Sequence, residues 1–244
     1  MRYKATIEYD GSCFFGWQRQ PDRISIQERL EIALLPLSKT LTTIHGAGRT
    51  DTGVHAIAQV AHFDLDKDID TFVIQQCMNH YLADVPISVL LIEKVQDSFH
   101  ARFSAKQREY VYKILNRRAK PSLLLNKAWW VQRPLDEAKM HSAALNLLGT
   151  HDFSSFRAQG CQAKSPIKTV IDTKVTRTGD IVEFYIKADA FLYHQVRNMI
   201  GSLYNVGSGK WTENEFVDVF NNRNRAVAGM TAPACGLYFK SVSY

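Results

Sequence analysis

Residues 46–56 read GAGRTDTGVHA: three glycines, one arginine, one aspartate and one histidine between two unlike patterns. Before them apolar residues recur at helical spacing, with Ile26, Leu30, Ala33, Leu34 and Leu37 on one face. Ser25 stands at the N-cap with Glu28 three residues on, a capping box, and Pro36 is placed to disturb the last turn. After them Ile57–Leu65 reads as a strand. The loop therefore joins a helix to a strand. It is not the Gly-x-Gly-x-x-Gly turn of a doubly wound sheet, and no such turn occurs in the chain.

Outward from the loop, the opening residues alternate: Tyr3, Ala5, Ile7 and Tyr9 against Arg2, Lys4, Thr6 and Glu8, a half-buried strand. Asp70 can cap a helix over Thr71–Leu82, and Ile87–Val95 reads as a buried strand. Ser104–Asn116 is a strand with Tyr110, Tyr112 and Ile114 on one face. Leu135–Leu148 is helical and stops at Gly149. Thr169–Thr178 and Asp180–Ala188 form a hairpin, Tyr193–Val206 and Thr212–Asn221 are helices, and Gly236–Val242 is a closing strand. Recurring hairpins argue for α+β with antiparallel sheets. A boundary near Phe103–Lys106 gives domains 1–104 and 105–244, each mixing strands and helices.

Composition narrows the function. The 244 residues are 45% hydrophobic, enough for a sizeable core. Cys13, Cys77, Cys161 and Cys235 lie far apart with no Cys-x-x-Cys spacing, against a zinc knuckle or a disulfide framework. The N-terminus is no signal peptide, and the longest aliphatic run, Val89–Ile92, cannot span a bilayer, so a cytoplasmic protein is expected. The net charge of +6 is unevenly spread. Tyr110–Leu135 holds six basic residues and no acid, and Phe153–Ile171 holds Arg157, Lys164 and Lys168 and no acid. Tyr110, Tyr112, Trp129, Trp130 and Phe156 are interleaved. Cations for phosphates beside rings that stack on bases suit RNA, and a solvated basic face is the alternative.

Asp51 is the candidate catalytic group. Glycines let its loop adopt backbone angles closed to other residues, and Arg49 favours the ionised carboxylate, a nucleophile or general base. The plainer reading is a tight turn in which Asp51 bonds its own backbone. Asp51-Thr52-Gly53 copies the aspartic protease triplet, but there is no second one to share a proton. Gly160–Ser165 only faintly echoes a phosphate loop, and His55 and His62, on one extended segment, do not converge on a metal. In FLYHQVRNMIG, 191–201, Val196, Ile200 and Leu203 make an apolar stripe, with Arg197 at its edge. That arginine is either a surface residue or the partner of an anion such as Asp51. Tyr110 is either core or a platform for an extruded base.

Together GRTDTGVHA, QREYVYKI, GTHDFSSFRAQGCQAKSPIKT, FLYHQVRNMIG and APACGLYF, with YDGSCFFGWQRQP near the start, resemble TruA-type tRNA pseudouridine synthases in order and over nearly the whole chain. The family's loop usually has alanine where Thr52 stands. The resemblance implies two α+β domains whose antiparallel sheets join into one extended sheet, with helices on one face and a basic cleft between. It implies Asp51 as catalytic aspartate, Tyr110 against the target uridine, Arg197 paired with the aspartate, Arg49 holding the flipped nucleotide's place, and Leu237 packing near the base. It further implies a homodimer acting on uridines 38, 39 and 40 of the tRNA anticodon stem-loop, with no cofactor and no metal.

Overall fold

Tyr3, Ala5, Ile7 and Tyr9 are all buried, and the alternation that hides them makes Arg2–Tyr9 the first strand, β1. The computed structural model describes all 244 residues, gathered into two units: Met1–Lys106 with Tyr238–Tyr244, and Gln107–Leu237. In the first unit β1 lies antiparallel between β3 (His55–Asp64) and β4 (Ile87–Val95). The short β2 (His45–Gly46) pairs with β3, as does β10 (Leu237–Ser243), which runs parallel to it with Tyr238 opposite His55. Tyr3 stacks on Phe63 at 5.7 Å, and each buried ring contributes about 2–3 kcal/mol.

Helix α1 (Ile26–Ser38) packs on α2 (Thr71–Tyr81), which packs on β4. Ser25 Oγ accepts the Glu28 N–H at 3.3 Å, but the reciprocal bond of a capping box does not form. The Glu28 carboxylate faces Arg19 instead, 3.9 Å away. Pro36 sits inside α1, which runs on to Ser38 and ends where Lys39 turns left-handed at φ 60°. β4 is not the buried strand its apolar run suggests, for Leu90 and Leu91 are exposed. It pairs with β1 alone, so it is an edge strand, and its register slips opposite Thr6–Ile7. Side chains of α2 cover the loosened backbone: Gln75 Nε2 donates to Leu90 O at 2.8 Å, and Asn79 bonds both N–H and C=O of Val89.

In the second unit β5 (Gln107–Asn116) pairs antiparallel with β9 (Ile181–Ala188) and parallel with β6 (Trp129–Val131). β9 continues to β8 (Ile167–Thr178) and β8 to β7 (Gly149–Asp152), all antiparallel. The hairpin closes at Gly179, φ 58°. Two parallel pairs, β3–β10 and β5–β6, stand among the expected antiparallel ones. Parallel neighbours need long connections, and the basic stretch after Asn116 is one.

Helix α3 (Glu137–Leu145) is shorter than its pattern: Asp136 caps it by accepting the Lys139 N–H, and Gly149, φ 101°, opens β7. α4 (Gln195–Gly207) packs on α3, and α5 (Glu213–Asn221) packs on both. α4 carries more than an apolar stripe, since every residue except Arg197 and Tyr204 is buried. Phe153, Phe156, Phe216 and Phe220 fill the core beside α5.

Candidate active site

Asp51 stands at the head of a tight turn. Its carbonyl accepts the Val54 N–H at 3.1 Å, and Gly53 supplies φ 78° at the third position, as a type II turn requires. So the plain reading of the loop is correct for its backbone, while the half-buried side chain is carried on a fixed base. The residues beneath are tied down by hydrogen bonds. Thr50 is buried, its carbonyl accepts the Trp17 N–H at 3.0 Å, and its hydroxyl meets the Tyr9 hydroxyl at 2.7 Å. Gln59 donates to Gly48 O at 2.9 Å. Three glycines permit the approach. A Cβ on Gly16, itself at φ 81°, would lie 2.6 Å from Thr50 O. One on Gly11 would overlap Val54 O, and one on Gly46 would strike the Trp17 ring.

Burial pushes the Tyr9 phenol up to about 12, against the opposing pull of its bond to Thr50. Tyr9 is thus a neutral prop, not a proton acceptor. His55, next to the turn, is buried, takes the Gly11 N–H on Nδ1 at 3.1 Å and stacks on Tyr238 at 4.6 Å. Arg49 shares the loop with Asp51 and is exposed. Tyr9, Thr50, Gly16 and Gln59 escaped the sequence reading, because nothing local marks a strand tyrosine or a distant glutamine as the support of a loop.

The other expected site residues lie in the second unit. Tyr110 is half-buried on β5 opposite Ile186 and meets Phe191 edge-on at 5.0 Å. Arg197 is half-buried on α4, where its Nε donates to Ala232 O at 2.8 Å and its own carbonyl accepts the Ala232 N–H at 3.1 Å. The same segment crosses Tyr112, whose hydroxyl donates to Pro233 O at 2.7 Å and whose ring leaves Gly236 no room for a Cβ. Burial holds the Tyr112 phenol well above its ordinary value despite the Arg197 charge, and likewise raises the Cys235 thiol. This explains the motif APACGL: it is the strap over Tyr112 and Arg197 that delivers Leu237, buried, to the start of β10.

Among the remaining candidates, no group of three or more His, Cys, Asp or Glu is arranged to hold a metal ion. His62 instead joins a ring cluster, 4.5 Å from His100 and 5.0 Å from His45. Its Nδ1 accepts the Ala101 N–H, and burial, helped by His100, His45 and Arg2, pulls it down to about 4. No helix is long and apolar enough to cross a membrane.

Comparison with known proteins gives the family. The family model described as tRNA pseudouridine synthase matches residues 5–104 and 143–244. A tRNA pseudouridine synthase A of Ehrlichia canis (strain Jake) is 49% identical over 245 residues, covering all of both chains. The one from Rhodospirillum rubrum is 48% identical over the whole chain and 88% of its own length. A chain of a solved Cbf5-Nop10-Gar1 complex aligns with 97% of this chain and 48% of its own, at 11% identity and a TM-score of 0.42. Those full-length matches run through the turn that holds Asp51 and the strap that holds Arg197, and they make this chain a member of the tRNA pseudouridine synthase family.

Proposed function

We propose that the protein isomerises uridine to pseudouridine at positions 38, 39 and 40 of the tRNA anticodon stem-loop, with Asp51 as its catalytic group. The observation that carries the reading is the turn itself: a carboxylate on a backbone fixed by Thr50, Gly16 and Val54. The reaction breaks the bond from ribose C1′ to N1, turns the base, and joins C1′ to C5. The hydrogen lost from C5 is matched by one gained at N1, so no oxidant or group donor is required. An ionised carboxylate can attack C1′, attack C6, or take the proton from C2′. Tyr9, neutral to about 12, does not compete for that role.

Arg49, Tyr110, Arg197 and Leu237 are assigned to the substrate. Extruding the target base costs a few kcal/mol, and stacking on a ring such as Tyr110 returns about 1–3 kcal/mol. From the same resemblance the enzyme works as a cytoplasmic homodimer without metal or cofactor.

The test is release of tritium from tRNA labelled at C5 of uridine, with wild type and Asp51→Ala and nothing added. Wild type releases label and Asp51→Ala does not, while both bind tRNA. Folded wild type that binds tRNA and releases nothing from any anticodon-arm uridine would leave a non-catalytic tRNA-binding module as the function.

A further inference from the structure

The second basic stretch, Phe153–Ile171, is not used by the site around Asp51. It lines a cleft of about 620 Å³ together with residues 224–226, a volume within the range of ligand sites. Two arginines line this cleft, and neither guanidinium pairs with a carboxylate. Arg157 gives Nη2 to the carbonyl oxygens of Cys161 and Ala163, at 3.0 and 2.7 Å. Arg225 gives Nη1 to Gly229 O at 2.9 Å and Nη2 to Asn198 Oδ1 and Thr231 Oγ1, at 3.0 and 3.1 Å. Every one of these acceptors is neutral.

Burial makes the charge on Arg225 harder to hold and nothing offsets it. Asp152 lies in electrical reach of Arg157, accepts the Ser154 N–H at 2.8 Å and lies 3.8 Å from Arg223. Arg157 and Arg223 thus share one carboxylate, while Arg225 has only neutral partners. Half-buried cations held rigidly by neutral partners are an unfinished ion pair, and their geometry is set before any anion arrives. The rim adds donors and space: Gln159 is exposed, and a Cβ at Gly160 would meet nothing within 4 Å.

We infer that the cleft formed by Ser154, Arg157, Gln159, Cys161, Asn224 and Arg225 binds a phosphate group of the RNA backbone, distinct from the nucleotide that reacts. The inference rests on the tRNA reading and extends it. One phosphate held here would set where the rest of the RNA lies on the second unit, which is what backbone contacts do.

The test uses the full chain and whole tRNA. Gln159→Glu adds a carboxylate at the rim without removing a structural bond, and Arg157→Gln removes a cation. Filter binding across a salt series should show each variant about tenfold weaker, with the slope of log affinity against log salt smaller by about one. Cys161 reports occupancy directly. Burial raises its thiol, but the N–H groups of Tyr193 and Ala163 and the Arg157 charge outweigh that and favour the thiolate. Its alkylation, read by peptide mass, should slow when tRNA is bound, with or without a similar effect of inorganic phosphate.

Wild-type affinity and slope in both folded variants would overturn the inference. So would alkylation slowed by phosphate and not by tRNA, which would make this a site for a free oxoanion. Tritium release by wild type decides the underlying reading separately, since it does not depend on either variant.

Discussion

Asp51 stands on a backbone it does not control. The turn is set by Gly53, by the Val54 N–H and by the close approach of Gly16 to Thr50 O. Replacing the carboxylate should therefore change chemistry and not shape: Asp51→Ala should lower turnover by about three orders of magnitude or more, with tRNA affinity retained. Gly16→Ala should do the reverse, disturbing the loop from below, so that both melting temperature and turnover fall. At Tyr110 ring and hydroxyl can be separated. If stacking is its task, Tyr110→Phe keeps most activity and Tyr110→Ala loses it, and a near-complete loss in Tyr110→Phe would give the hydroxyl the larger part. Asp51, Arg49, Tyr110 and Arg197 draw attention in the sequence as candidates because each is a polar or aromatic residue in a conspicuous setting. Tyr9 and Gln59 do not, because their role depends on which strand lies under which loop.

Among elements, two helix starts that look alike in sequence differ in the fold. Thr212 and Glu215 exchange both bonds of a capping box, with the Thr212 N–H to Glu215 Oε2 at 2.7 Å. Ser25 makes only one, with the Glu28 carboxylate 3.9 Å from Arg19. Thr212→Ala should cost about 1–2 kcal/mol and Ser25→Ala about 0.5 kcal/mol, read from urea midpoints. In α4 the tightest point is Gly201, where a Cβ would overlap Met230 O. Gly201→Ala should cost about 3 kcal/mol or more, since backbone cannot yield as a side chain can. Local pattern located β1, α1, α2, α4 and α5 well. It missed β6, which is three residues long, and misjudged β4, because an apolar run does not say whether a strand has one neighbour or two.

At the scale of the whole molecule, acid should act through the ring cluster of the first unit. Unfolded His62 takes up a proton near 6.5, but the folded residue does so only near 4. As pH falls the unfolded chain therefore binds the proton first, so stability is full above about 6.5 and declines toward 4. His100 is also lowered, by burial first and then by His45, Arg2 and Arg102, and acts in the same direction. His62→Gln, which can still accept the Ala101 N–H, should flatten that dependence in urea titrations at pH 7 and pH 5. One more consequence lies in β10. Its residues from Tyr238 onward belong to the first unit and pair with β3, whose sequence was made some 180 residues earlier. A nascent chain thus carries the His55–Ala56 end of β3, beyond the reach of β2, without its β10 partner until residues 107–237 have been made. The unit that is begun first gains its β10 partner only after the whole of the second unit has been synthesised.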